Sequence, residues 1–384
     1  MDRRKFIKLL GGGVVVAAAA GAAGVGYAVT RTTQTALKPW ELAGSAYSEP
    51  RKRALSYAVL APNPHNMQPW QADLSRPNQI VLTVDTDKLL PHTDPMNRQI
   101  TIGQGCFLEL LVMAGAQDGY RVEVDLFPEG QNPQQLDGRP IAVATFTEDS
   151  SVGADPLFES VLTRRSAKDP FDVARPVTQQ QLLSIQSAAR DIPTDGTNEE
   201  SLMQDLRAMA EEGILTEMMT PRTHKESIDV IRIGRREVDA NPDGIDLTGP
   251  LFEALLLAGQ ISRPEMEKIG SPQFEQAKDG ILAPPRSAQG FVWLTSATND
   301  RVSQIQAGRD WVRMNLEATR QGLGLHPLSQ ILQEYQEMKP LYDRAHAMLA
   351  PDGGTLQMLG RVGYTLEQAP PSPRWPVEAK IIAS

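Results

Sequence analysis

The sequence predicts an α+β fold built from two fused, related modules. Three observations carry that prediction: short alternating strand patterns interleaved with apolar helical runs, a glycine spacing that recurs along the chain, and two motif-like segments set far apart. The glycines Gly105 and Gly119 reappear as Gly308 and Gly322 at a common offset of 203 residues (308 − 105 and 322 − 119). Each pair brackets an apolar-periodic run closed by glycine, the usual signal of a helix C-terminus. A chain of 384 residues holds two domains with ample core.

The N-terminus carries Arg3, Arg4, Lys5 and Lys8 ahead of an uncharged, Gly- and Ala-rich run from Leu9 to Thr30. Paired arginines before a mildly apolar run resemble a twin-arginine export signal, which delivers a folded, cofactor-loaded protein to the periplasm through the twin-arginine translocase. The run also has the length of a membrane anchor, roughly 20 residues. Residues 1–37 therefore stand outside the fold.

The first module is placed at 38–150. Glu49–Leu60 has helical periodicity and stops at Ala61-Pro62, because proline disfavours helix in the residue before it. Ile80–Val84 is β-branched, and Arg121–Phe127 and Ile141–Phe146 alternate, so all three read as strands. Gly103–Gln117 is an apolar helix. The polar link Thr147–Asp155 separates this module from a second at 151–384. There, Thr178–Glu212 reads as polar helical segments, Phe291–Ser296 as a buried strand and Val302–Gln321 as a long helix. A middle section, 223–285, interrupts the pattern and contains the apolar helical run LFEALLLAG. The end, SPRWPVEAKII, is proline-rich and expected to run extended along a surface.

Two segments have the makings of a cofactor site. PNPHNMQPW, Pro62–Trp70, supplies a rigid turn with polar side chains at Asn63 and Asn66, flanked by Pro62 and Pro64. TRRSAKDPF, Thr163–Phe171, groups Arg164, Arg165, Ser166 and Lys168, which is the donor set that a desolvated phosphate requires.

Together these segments resemble the nitroreductase family, most closely its single-chain, Acg-like group, in which two modules are fused. In ordinary nitroreductases an R-x-S-x-R/K segment precedes P-S-S-x-N-x-Q-P-W, and each FMN of the homodimer is gripped by one segment from each subunit. Here the order is reversed, so one chain is expected to complete one site. The resemblance implies a nitroreductase-like fold with a mixed β-sheet flanked by helices in each module, and a lid at 223–285 over the flavin. It implies FMN as cofactor and a monomer that is an internal pseudo-dimer. Arg164, Ser166 and Lys168 match the first flavin segment, with Lys168 near the ring. Pro62, Asn63, Pro64 and Asn66 match the segment from the opposite module. Gly324 and Leu325, in GLGLHP, match a loop against the ring, and Arg374 matches a late arginine on the phosphate.

The implied activity is ping-pong, two-electron hydride transfer through flavin N5 from an unidentified donor to a small acceptor. An FMN-storing protein and a degenerate interaction module remain alternatives. Asn63-Pro64 replaces the family's Ser-Ser, removing a hydroxyl and a backbone donor. The first module has no R-x-S-x-K and the second no N-x-Q-P-W, so one FMN per chain is expected.

Other chemistries find little support. A net charge of −9 disfavours nucleic acid. The five histidines show no ligand spacing, are expected in loops or at the surface, and no metal site is assigned. Cys106, the single cysteine, reads as a core residue.

Overall fold

A computed structural model describes residue 33 and residues 35–383; the paired arginines and the uncharged run lie outside the described residues, while Thr35 and Ala36, from the end of the 1–37 segment, bond to Asp239, with Ala36 buried. Two sheets dominate. In spatial order the first runs Ile381–Ala383, Trp70–Asp73, Gln79–Val84, Ala142–Glu148, Tyr120–Leu126, and the second Thr194–Thr197, Gly290–Ser296, Thr355–Gly363, Gly324–Pro327. In the first, β1 (Trp70–Asp73), β2 (Gln79–Val84), β3 (Tyr120–Leu126) and β4 (Ala142–Glu148) pair antiparallel. In the second, β5 (Thr194–Thr197), β8 (Gly290–Ser296), β9 (Gly324–Pro327) and β10 (Thr355–Gly363) repeat that arrangement. The second module thus rebuilds the first, strand for strand.

The helices repeat too. α1 (Lys38–Leu42) and α2 (Pro50–Ala58) precede β1, and α3 (Arg98–Gln117) joins β2 to β3. α4 (Gln179–Ser187) precedes β5 as α2 precedes β1. α11 (Arg301–Arg320) joins β8 to β9 and matches α3 residue for residue at the 203-residue offset. α3 is apolar nearly throughout because it lies between the modules: 16 of its residues are buried. Its partner is α11. A Cβ on Gly105 would collide with the Ile305 carbonyl oxygen, and one on Gly308 with that of Ile102, the equivalent residue. Such reciprocity is the mark of an isologous contact on a two-fold axis.

The structure departs from the sequence expectation in three places. The helical segments expected in Thr178–Glu212 are α4 and α5 (Glu200–Met219), but between them Pro193 and Gly196 admit β5, a strand the sequence reading did not include. The C-terminal tail does more than lie along a surface, since β11 (Ile381–Ala383) adds in parallel to β1, giving the first sheet a strand from the second module. Thr355–Gly363, which sequence reading passed over, is the central strand β10, buried at eight of nine positions.

Between β5 and β8 lies the long insertion. It contains α5, α6 (Pro221–Asp229), β6 (Ile231–Ile233), α7 (Gly234–Ala240), β7 (Ile245–Leu247), α8 (Pro250–Leu257), α9 (Arg263–Glu267) and α10 (Pro272–Arg286). Its outer part has its own small core of Ile228, Ile231, Ile233 and Met266. In the first module the same connection is a tight hairpin.

Candidate functional site

The Pro62–Trp70 segment leaves α2 under backbone constraint. His65, Asn66 and Gln68 all have positive φ, at 45°, 55° and 50°. For non-glycine residues each such conformation costs about 1–2 kcal/mol and persists where surrounding bonds enforce it. Those bonds are present. Asn63 Oδ1 accepts from Gln68 N (2.7 Å), so this side chain closes the turn internally. The Gln68 amide donates to Pro242 O (2.6 Å) and accepts from Trp375 N (2.9 Å), while Lys380 Nζ donates to Gln68 O (2.6 Å). Pro64 packs towards Gly103 of α3, where no side chain intervenes.

Arg164 and Arg374 meet at the carbonyls of Leu60 and Ala61, in the turn just past the end of α2. Arg164 Nη2 and Arg374 Nη2 both donate to Leu60 O (3.1 Å each), and Arg374 Nη2 also to Ala61 O (3.0 Å). Arg374 Nη1 reaches Asn66 Oδ1 (2.5 Å). Arg165 joins through Trp40, whose ring lies 4.6 Å from the Arg165 guanidinium and 5.6 Å from that of Arg374. Backbone carbonyls attract cations through their partial negative charge, but they do not neutralise three guanidiniums. Arg164 Nη1, Arg165 Nε and Arg374 Nε are buried without hydrogen-bond partners. Burial first, and then the neighbouring guanidinium, push Arg164 down to about 10 and Arg374 to about 9.

Ser166 forms a parallel bridge with Leu325, which brings the arginine segment to the Gly324-Leu325 strand. Gly324 is required there because a Cβ would press on Ala167 and Phe171. Arg361 of β10 locks the junction: its Nη2 donates to Ala167 O (2.8 Å), Lys168 O (3.0 Å) and Asp169 O (2.8 Å), and its Nε to His326 Nδ1 (3.1 Å). Lys168 itself is half exposed and pairs with Asp246 of the insertion (3.4 Å). Of the sequence-selected residues, Asn66, Arg164, Arg165 and Arg374 converge at one point, and Ser166, Gly324 and Leu325 at a second. Pro62 and Pro64 shape the turn. Lys168 bonds outward to the insertion.

The insertion covers this ground. Gly244 N donates to Asn66 O (3.1 Å), and Asp243 accepts from Lys88 (2.7 Å), Arg232 (2.8 Å) and the Trp375 indole (2.9 Å). Burial works to raise the Asp243 pKa, yet these donors hold it below the usual range. A cavity of about 410 Å3 opens beside Arg374, walled by Lys38, Tyr47, Ser56, Trp375 and Glu378. Asn63, Arg164, Ser166 and Lys168 do not line it.

Sequence reading missed Trp40, Gln68, Arg361 and Lys380. Gln68 lay within the Pro62–Trp70 string and Lys380 within the C-terminal SPRWPVEAKII; Trp40 and Arg361 are single buried residues without local signal. Three histidines depart from the surface expectation. His224 is buried with Nε2 3.0 Å from Met266 O, His326 lies on β9 bonded to Arg361, and His346 is half-buried, accepting from Leu356 N. Each finds a backbone or guanidinium partner that local sequence does not reveal. Cys106 packs against Gly308 O (3.1 Å), and burial pushes its thiol up to about 12. Among the described residues, no three His, Cys, Asp or Glu side chains group as metal ligands.

In the second module the corner after α4 is built differently. The N–H groups of Arg190, Asp191 and Ile192 donate to Asp310 of α11 (2.8, 2.9 and 2.7 Å). No strained turn equivalent to His65–Gln68 occurs there among the described residues.

No family model matches the chain. Among solved structures, a nitroreductase from Anabaena variabilis aligns over 89% of this chain and 91% of its own, with TM-score 0.42 and 11% identity. A Bacteroides fragilis nitroreductase with bound FMN aligns over 58% of this chain and 95% of its own, with TM-score 0.34 and 10% identity. Among curated proteins, the chain is 26% identical over 344 residues to the Mycobacterium tuberculosis protein acg, covering 85% of this chain and 93% of that one. It is 25% identical over 352 residues to a second protein of that organism, Rv3131, covering 86% and 93%. Both are named as candidate NAD(P)H nitroreductases, and over nearly their whole length this chain is similar to them.

Proposed function

We propose that this protein is an FMN-dependent oxidoreductase of nitroreductase type, holding one FMN per chain. The observation that carries the reading is the convergence of buried Arg164 and Arg374 with half-buried Arg165, each with one buried, unsatisfied donor atom and none bonded to a carboxylate among the described residues. Two buried cations with a third half-buried beside them form a costly arrangement unless a multivalent anion joins them, and a flavin phosphate has the charge and the acceptor oxygens to do so. Arg164 and Arg374 would hold the phosphate, while Asn66 and the Ser166–Leu325 junction would border the ring, with Lys168 at its edge. FMN supplies two-electron hydride chemistry between a donor and a small acceptor. The names of the relatives make a reduced nicotinamide the first donor to test. The insertion, tied to Asn66 and Gln68, would keep water from the site.

The test is spectroscopic. Purified protein should bind FMN, bleach with donor under anaerobic conditions and regain colour with a nitroaromatic or quinone acceptor. Failure to bind FMN after reconstitution would falsify this reading.

A second reading, FMN storage with little turnover, is favoured by the direct bonds Gly244 N to Asn66 O and Gln68 to Pro242 O, which fasten the insertion onto the motif. Bound FMN that no acceptor reoxidises faster than buffer would select storage. We further propose twin-arginine export of the folded chain, with the leader kept as an anchor. Its support is the Arg3-Arg4 pair and the run that follows. Cell fractionation of the Arg3→Lys, Arg4→Lys variant, expected to stay cytoplasmic, tests it.

A further inference from the structure

We propose that α8, on the insertion, is a second membrane contact that lies in the bilayer interface beside the anchor. The inference rests on the reading that the leader is retained. α8 reads PLFEALLL and has no buried residue. Leu251, Leu256 and Leu257 are 41%, 42% and 62% exposed. An apolar helix ordinarily hides such a face in a core, and the insertion's core of Ile228, Ile231, Ile233 and Met266 does not include these leucines. The helix's one charged group, Glu253, is occupied by Arg235 N (2.6 Å).

Chain geometry selects lipid as the occupant. The uncharged run ends at Thr30, and by Thr35 the chain is fastened to the insertion: Thr35 N and Oγ1 donate to Asp239 Oδ1 (3.1 and 3.0 Å), and Ala36 N donates to the same oxygen (3.1 Å). Five residues span at most roughly 18 Å. Asp239 lies on α7, which packs on α8 through Arg235 to Glu253 and through Gly234 against Leu256. An anchored chain therefore holds α8 close to the lipid headgroups. Residues 223–285 carry 7 Lys and Arg against 11 Asp and Glu. Attachment thus comes from leucine burial rather than from attraction to anionic lipid. Docking of α8 would couple the insertion's position over the candidate site to the membrane.

The test uses the full chain reconstituted in phosphatidylcholine vesicles, with and without phosphatidylglycerol and with acyl chains brominated or not. Leu257→Cys carries an environment-sensitive fluorophore; Leu183→Cys, on α4 and 48% exposed, is the control. The buried Cys106 stays unlabelled. Brominated chains should quench the label at 257 at least twofold more than at 183, equally in both lipid mixtures. Equal quenching on vesicles that float with the protein overturns the α8 contact and leaves the anchor standing. Protein that does not float overturns the anchor and the contact with it. A blue-shifted but unquenched label at 257 signals a protein partner and overturns the lipid assignment.

Discussion

Gly105 and Gly308 touch across the junction of the modules, and a Cβ on either would lie within 3.0 Å of the other's Cα. They are also equivalent positions of the internal repeat. Two equivalent residues meet in this way only on a symmetry axis, so α3 and α11 cross at the pseudo-two-fold of the fused pair. The closeness of the helices sets the distance between motifs borne by different modules.

Replacement of Gly105 or Gly308 by alanine forces backbone apart at this crossing. Each is expected to destabilise by about 1–3 kcal/mol, the range for overpacked cores. Gly138→Ala, where an added Cβ meets nothing, should stay within about 0.5 kcal/mol. Urea denaturation of the three variants checks this ordering.

Arg164 sets ligand affinity against stability. Arg164→Met should lower FMN affinity by at least about tenfold, given about 1.5–3 kcal/mol for a charge-assisted contact. Without ligand it should melt no lower than wild type, because it removes a repelled, incompletely bonded cation. Fluorescence titration and melting of the FMN-free protein measure the two effects. A large loss of apo stability would contradict the assignment.

Lys380 gives a pH signature. Burial brings its pKa from 10.5 to about 8 in the folded chain. Between these values the unfolded chain binds more protons, so this group's contribution to stability rises with pH. The gain is roughly 1 kcal/mol per unit from about pH 8 to 10. Below that window both states are protonated and the contribution is flat. Stability of Lys380→Met minus that of wild type should therefore fall as pH rises through the window. A difference independent of pH would refute it.

Asp243 fastens the insertion through Lys88, Arg232 and Trp375. Asp243→Ala leaves two cations facing an empty position and should loosen the cover. Stopped-flow release of FMN is expected to quicken by about tenfold, in line with a few kcal/mol for breaking a buried ion pair offset by partial resolvation. Release at the wild-type rate would show that the insertion does not gate the site.

Local sequence carried much of this structure because strand alternation, helix closure by glycine and proline punctuation act over a few residues. Gly103–Gln117 and Val302–Gln321 were legible as helices for that reason, and the arginine segment and Pro62–Trp70 turn as chemistry. What lay beyond local reading was every contact between distant segments. The strand Ile381–Ala383 is too short to declare itself until β1 offers an open edge. Trp40 becomes part of the site only when the chain returns to place Arg165 and Arg374 against it. Local pattern was enough to read the α+β repeat and the two motif segments. It takes tertiary packing to bring the guanidiniums of buried Arg164 and Arg374 and half-buried Arg165 together, to turn Lys168 to Asp246, and to close the insertion over Asn66. Charge repulsion, burial and register between distant segments arise only in the folded chain.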